Sequence, residues 1–397
     1  MQITPLVELK VRVERLQAKM LEKGLDGVII MENTDLFYFA GSMQQGFFFI
    51  PSTGEPLFLV RRNYERARSE SSWENIFPLE SLRDIPKFIA DHGIAALRKM
   101  GLELDVLPVK IYQSIGKIFS RVDIIDISRA IREIRMIKSP YELEYFRQAG
   151  KKALAVYRQI PSLLQEGKSE LLFSAELENL YRRAGHQGVL RMRAFNAEMY
   201  FGHVYFGESG ALHTFVDSCT GGRGLTTACP QGAGRKTLKS HEPVGVDYAS
   251  IYEGYIVDHT RTFSLGALPG DLERAYEVAV EIQEAIIKQA FPGASCVDLY
   301  QLALDLAEKR GLAFNFMGCG PEHVKFVGHG IGLEIDELPI IGKGSPYNLL
   351  EGMVVALEPK FIFPGRGMVG LENAWYISHN GPEKLSPIPD KLVSVPL

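Results

Sequence analysis

Two stretches of this 397-residue chain each bring a pair of carboxylates onto one face of a hairpin. In residues 243–266, two strand-like runs flank Tyr252-Glu253. With the turn centred there, opposed positions sum to 505, so Asp247 faces Asp258. Directly opposed residues have Cα atoms about 4.5–5.5 Å apart, with both side chains on one face. Like charges so placed destabilise a sheet and call for a compensating positive charge. In residues 352–378, two runs flank Pro364-Gly365-Arg366-Gly367. Opposed positions sum to 730, and Glu358 faces Glu372. Val354, Ala356, Met368 and Ala374 share that strand phase, so the face is expected to be buried.

Four carboxylates on buried faces cannot all stay charged unaided. A metal is the economical solution, and carboxylate oxygens joined by an imidazole suit Mn, Fe, Co or Zn. The imidazole candidate is His329, in Gly328-His329-Gly330-Ile331-Gly332, where the flanking glycines allow close approach. Taken alone, the Asp pair reads as two solvated carboxylates and His329 as a loop histidine. It is their joint occurrence that favours a metal. The glycines around His329 do not have dinucleotide-binding spacing, and no phosphate-cradling GxxxxGK is present.

At these residues the chain resembles the pita-bread metallopeptidase superfamily, which contains methionine aminopeptidase, aminopeptidase P, prolidase and creatinase. The superfamily's ligand order is Asp, Asp, His, Glu, Glu, with the two Asp eleven residues apart, as Asp247 and Asp258 are. Its DxTRTF run appears as Asp258-His259-Thr260-Arg261-Thr262-Phe263. Its GHGIG run lies at 328–332, and its GMVxxxEP run extends from Gly352 to Pro359. Earlier, RLQAKMLEKGLDGVII with Phe37-Tyr38-Phe39-Ala40-Gly41 is similar to the creatinase/prolidase N-terminal domain. The resemblance implies two divalent ions (Mn, Co, Fe or Zn) on Asp247, Asp258, His329, Glu358 and Glu372. They would share a bridging water, and Glu358 would also accept its proton. It further implies a homodimer.

Three departures bear on function. Seventeen residues before Asp247, where the peptidases carry a His, stands Pro230, next to Cys229. Seven residues past His329, where a second His precedes Glu-x-Pro, stands Asp336, before Glu337-Leu338-Pro339. The Arg found in aminopeptidase P and prolidase two residues before the last Glu is Gly370. Asp336 is therefore a catalytic candidate, either gripping a substrate cation or acting as a base. His203 and His213 are candidate substrate-binding replacements for the absent histidines. Arg191 and Arg193 could clamp an acidic group, although a solvated strand face is the preferred reading. Cys229 reads as a structural thiol. The favoured activity is that of a Xaa-Pro aminopeptidase or dipeptidase. The alternatives are a small-molecule hydrolase or lyase using Asp336, and a noncatalytic binding protein on the same fold.

The elements that must position these residues are legible too. Leu6, Leu9, Val13, Leu16 and Met20 have helical spacing, and Gly24 ends the helix. Residues 27–30, 47–50 and 57–60 read as strands, and helix and strand signals alternate up to residue 125. The fold class is α/β: a creatinase-like α/β domain over 1–132 with a mixed sheet, then a pita-bread domain over 133–397. In the second domain a curved antiparallel sheet is expected, flanked by a long helix that starts at Pro140 and by helices near 169–184, 272–290 and 296–310.

Composition bounds the partners. The apolar fraction is 46%, and 44 Lys and Arg against 48 Asp and Glu leave a net charge of -4. That balance argues against a nucleic-acid or anionic-membrane surface. No run approaches the roughly 20 apolar residues of a membrane helix. Four cysteines without a CxxC pair fit a reduced, cytoplasmic protein. The resemblance implies a small peptide or small molecule as substrate.

Overall fold

The computed structural model describes residues 2–94 and 96–397. The chain forms two compact units, Met1–Arg135 with Arg193–Phe195, and Met136–Met192 with Asn196–Leu397.

In the first unit, the helix Leu6–Lys23 buries Leu9, Val13, Leu16 and Met20, and Gly24 caps it at φ 64°. Its sheet comprises β1 (Gly27–Ile30), β2 (Gly46–Pro51), β3 (Leu57–Val60), β4 (Ile76–Pro78), β5 (Lys99–Leu102) and β6 (Asp123–Asp126). The order is β4-β3-β2-β1-β5-β6. The β1/β2 and β2/β3 pairs are antiparallel and the other three parallel, giving the expected mixed sheet. β1, β2 and β3 are buried along their whole length, which explains why they read as unbroken apolar runs rather than alternating ones.

This unit corrects the reading of Arg193. Its side chain is neither a solvated strand face nor a substrate clamp. Arg193 Nη1 lies 2.7 Å from Asp35 Oδ2, and its Nε lies 2.8 Å from Asp105 Oδ2. Arg135 Nη1 takes the other Asp35 oxygen at 2.7 Å. Burial pushes the Asp35 carboxyl up, but the two guanidiniums outweigh it and hold the group below its usual range.

In the second unit, a capping box starts the helix Pro140–Tyr157. Glu142 N donates to Ser139 Oγ, and Ser139 N donates to Glu142 Oε2. This helix and Glu170–Arg183 supply Phe173, Leu177 and Ala153 to a core shared with β7 (Gly202–Phe206), β8 (Val244–Tyr252) and β9 (Tyr255–Leu265). The helices Gly270–Ile287 and Cys296–Lys309 cover a second core with β10 (Phe326–Gly330), β11 (Glu337–Gly342), β12 (Val354–Leu357), β13 (Lys360–Phe363) and β14 (Gly367–Gly370). β15 (Asn373–Tyr376), β16 (Glu383–Lys384) and β17 (Val393–Val395) complete the unit.

The expected curved sheet is divided into three ladders, β17-β9-β8-β7, β11-β10-β12-β15-β16 and β13-β14. All four cysteines are free thiols, and Cys229 is exposed rather than a buried structural thiol. No helix among the described residues is long and apolar enough to cross a membrane.

His186, in the loop after Glu170–Arg183, makes acid stability testable. Its Nδ1 accepts from Gly188 N at 2.9 Å, and its ring stacks on Phe201 at 4.5 Å. Burial, then Arg182, lowers its pKa to about 4. Between about pH 6.5 and 4 the unfolded chain therefore binds a proton that the folded chain refuses. Stability from this group is complete above pH 6.5 and is lost as the pH falls toward 4. The loss is about 3 kcal/mol at 1.36 kcal/mol per unit. Urea unfolding at pH 7.5 and 4.5 should show a smaller acid penalty in His186→Gln than in the parent; equal penalties would exclude His186 as its source.

Candidate metal-binding active site

Seven strands of the second unit deliver the site. His203 lies on β7 directly opposite Asp247 on β8. Asp258 and Thr260 lie on β9, and Thr260 is the residue opposite Asp247. His329 lies on β10, between Ile340 and Ala356 of its neighbours. Glu358 follows β12, Lys360 opens β13 and Glu372 precedes β15.

The first hairpin corrects the expected register. Its turn is the two-residue loop Glu253-Gly254, with φ 47° and 90°. Tyr252 therefore pairs with Tyr255, and Ala249 rather than Asp247 opposes Asp258. The shift amounts to two residues along one strand, which preserves the face. The two aspartates are diagonal neighbours and both line one cavity. The second hairpin keeps its expected register but is not one ladder. Ala356 pairs with Ala374 in β12–β15, and Lys360 pairs with Gly370 in β13–β14. The break between the ladders falls at Glu358-Pro359 and Leu371-Glu372, so both glutamates leave the sheet where it opens.

The feature not anticipated from sequence is Lys360. Its Nζ lies 2.8 Å from Glu358 Oε2, 3.0 Å from Asp247 Oδ2 and 3.1 Å from Glu372 Oε2. Its side chain is 1% exposed. Burial would lower its pKa, but the three carboxylates dominate and hold it well above the usual lysine range, so the group is an ammonium. The signal was present in the sequence. Residue 360 is two past Glu358, in the same strand phase, on the face already short of positive charge.

The remaining groups gather beside it. His329 Nε2 is 3.6 Å from Glu358 Oε1 and 3.9 Å from Glu372 Oε1. Its Nδ1 lies 3.0 Å from Gly330 O, an arrangement in which Nδ1–H donates and Nε2 is turned to the carboxylates. Burial lowers the His329 pKa, but Asp336, Glu358 and Glu372 outweigh it and raise it. Thr260 Oγ1 donates to Glu372 Oε2 at 2.9 Å. Burial pushes Glu372 up to about 7, with Lys360 opposing. Asp258 rises well above the carboxylate range through burial, then Glu372 and Asp247. Asp247 is pulled below its usual range, because Lys360 and His203 overcome its burial.

These directions describe a cavity with a cation deficit around Asp258 and Glu372. Asp258, His329 and Glu372 each offer a ligand atom, and the three atoms lie within 4.8 Å of one another. That donor set of two carboxylates and an imidazole fits one divalent ion. Asp247 and Glu358, the other two expected ligands, are engaged by Lys360.

The other expected residues separate. Asp336 lines the cavity, 3.4 Å from His329 Nδ1 and half exposed. His203 also lines it; its Nδ1 is 2.8 Å from Tyr205 Oη, and burial lowers its pKa. His213 is not among the residues that line it and interacts instead with Glu322 and His323. Gly370 sits opposite Lys360, and a Cβ there would come within 2.7 Å of Lys360 Cα and 2.9 Å of Lys360 Cγ. The glycine thus lets the lysine stem lie flat against its partner strand.

Residues 144–379 match metallopeptidase family M24, and residues 12–137 match the creatinase/prolidase N-terminal domain. The Xaa-Pro dipeptidase of Pyrococcus horikoshii is 25% identical over 96% of this chain and 98% of its own length. The solved structure of an Xaa-Pro dipeptidase from Bacillus anthracis superposes with a TM-score of 0.82 at 25% identity, covering 98% of this chain and all of that one. The structure of an X-Pro aminopeptidase from Thermotoga maritima shares the fold, with a TM-score of 0.80 at 24% identity over 97% of this chain and 100% of that one.

Proposed function

The chain belongs to metallopeptidase family M24, and from that premise we propose that it is a divalent-metal-dependent hydrolase of the Xaa-Pro aminopeptidase type. The observation that carries this reading is the meeting of Asp258, His329 and Glu372 in one cavity with Glu358 beside them. Asp258, His329 and Glu372 would hold the ion. A divalent ion there supplies Lewis acidity and lowers the pKa of a water toward neutrality. Glu358 Oε1 faces the same space and accepts the proton that the attacking water gives up.

The lining favours an aminopeptidase over a dipeptidase. A dipeptide presents a free carboxylate close to its scissile bond, and a cation must receive it. Among the described residues no arginine lines the cavity, and the lining lysine, Lys360, has its three N–H groups on three carboxylates. Asp217 and Asp336 instead offer anionic oxygens to a substrate ammonium.

Reconstituted with Mn²⁺ and given Ala-Pro-Ala, Ala-Pro and N-acetyl-Ala-Pro-Ala, the protein should release alanine from the free tripeptide fastest and leave the acetylated peptide intact. Asp336→Asn should lower kcat/KM on the free tripeptide about 10–100-fold, the value of one charge-assisted hydrogen bond of roughly 1.5–3 kcal/mol. Faster cleavage of Ala-Pro than of Ala-Pro-Ala, or equal cleavage of the acetylated form, would reject the amino-terminal reading.

A further inference from the structure

Lys360 bears directly on how many ions this site takes. A lysine ammonium has three N–H donors and no acceptor. Here each donor has its own carboxylate, from Asp247, Glu358 and Glu372, at 2.8–3.1 Å. The group is saturated and sealed from solvent. Its stem is seated, because Gly370 across the strand pair has no Cβ to push it away. We propose that the Lys360 ammonium is a built-in cation standing where a second metal ion would otherwise bridge Asp247, Glu358 and Glu372, so that the chain binds a single divalent ion, on Asp258, His329 and Glu372.

The two halves of the cavity are complementary in this respect. A divalent ion sits about 2.0–2.2 Å from carboxylate oxygens. An ion bound to the three oxygens that Lys360 holds would claim the space of Nζ, and the two cations would repel. The oxygens left over point elsewhere. Asp258 makes no contact with Lys360 of hydrogen-bond length, Glu372 turns Oε1 toward His329 Nε2, and the imidazole is held by Gly330 O. One ammonium and one divalent ion thus divide four carboxylates that a lysine-free site would give to two ions. Ion binding to Asp258, His329 and Glu372 underlies the proposed hydrolase reading as well, but the number of ions is measured without any substrate.

The test is equilibrium dialysis of the full chain against Mn²⁺ alone, with metal counted by mass spectrometry. The parent should saturate at one ion per chain and give the six-line electron paramagnetic resonance signal of an isolated Mn²⁺. Lys360→Ala, purified in Mn²⁺ so that the uncovered carboxylates stay neutralised, should saturate at two and show exchange-coupled spins. Two tightly bound, coupled ions in the parent would overturn the proposal without reference to any variant, and so would no bound ion. A folded Lys360→Ala protein that still takes one ion would overturn it too, because the lysine would then not be what excludes the second. If the parent binds one ion but cleaves none of the peptides, the hydrolase reading fails and the assignment of Lys360 stands.

Discussion

Arg261→Met is expected to destabilise the protein by at least about 4 kcal/mol, close to the limit for a single side chain. The guanidinium is 1% exposed and every edge of it is used. Nε donates to Pro389 O at 2.8 Å. Nη1 donates to Thr260 O and Glu372 O, both at 2.7 Å. Nη2 reaches Asn373 Oδ1 and Asp390 Oδ1 at 2.7 Å and Ile388 O at 3.0 Å. Methionine fills much of the volume but satisfies none of these acceptors. Each buried acceptor left unpaired costs about 1–3 kcal/mol, and several of these carbonyls lose a donor together. Lysine should not rescue the site, since it lacks the planar fork that serves several carbonyls at once. The same residue holds the Glu372 carbonyl to β9, where Glu372 N also bonds Thr260 O at 3.0 Å. Folded Arg261→Met should therefore also bind Mn²⁺ more weakly. Urea unfolding that places the variant within 1 kcal/mol of the parent would show that this network contributes little.

The way the site assembles explains what was readable in advance and what was not. Strand pairing conserves parity, so any even error in register leaves the facing side chains on one face. The Asp247–Asp258 hairpin was displaced by one such error, because Glu253-Gly254 adopts a two-residue turn that the charge pattern alone does not reveal. Both aspartates still reach the cavity. The Glu358–Glu372 register held across two separate ladders, because loops of equal length keep the count constant on either side of the break. The inward turn of Lys360 is hidden in the sequence for a different reason. A lysine near a strand end usually lays its stem along the surface and keeps its ammonium in water. Whether it instead turns inward depends on the residue across the ladder, and Gly370 is informative only once the pairing is known. Arg193 shows the same limit. Its partner Asp35 lies 158 residues away in sequence, and no local pattern carries such a pairing. The helices of the second unit, by contrast, were marked by local signals. Ser139 and Ser169 cap two of them, and apolar spacing defines their buried faces.

Glu358→Gln is expected to lower kcat about 10²–10⁴-fold, the range of a lost general base, while leaving the bound ion in place. Glu358 occupies the boundary between the two cation seats. One carboxylate oxygen, Oε2, accepts from Lys360 Nζ at 2.8 Å, and the other, Oε1, lies 3.6 Å from His329 Nε2. Glutamine preserves the length of the side chain and can present its carbonyl oxygen to Lys360. Its amide nitrogen then takes the place of Oε1, and that nitrogen donates hydrogen bonds but cannot accept a proton from water. Asp258, His329 and Glu372 are untouched, so Mn²⁺ content should match that of the parent, and KM should change little because no group aimed at the substrate ammonium is altered. Glu372→Gln is the contrasting substitution. It removes a charge from the ion's own donor set and should lose metal and turnover together. Steady-state kinetics on Ala-Pro-Ala, with metal content measured on the same samples, distinguishes the two roles. If Glu358→Gln keeps kcat within tenfold of the parent, another group takes the proton. If it loses Mn²⁺ in step with turnover, Glu358 belongs to the ion's donor set and Lys360 does not hold it apart from the metal.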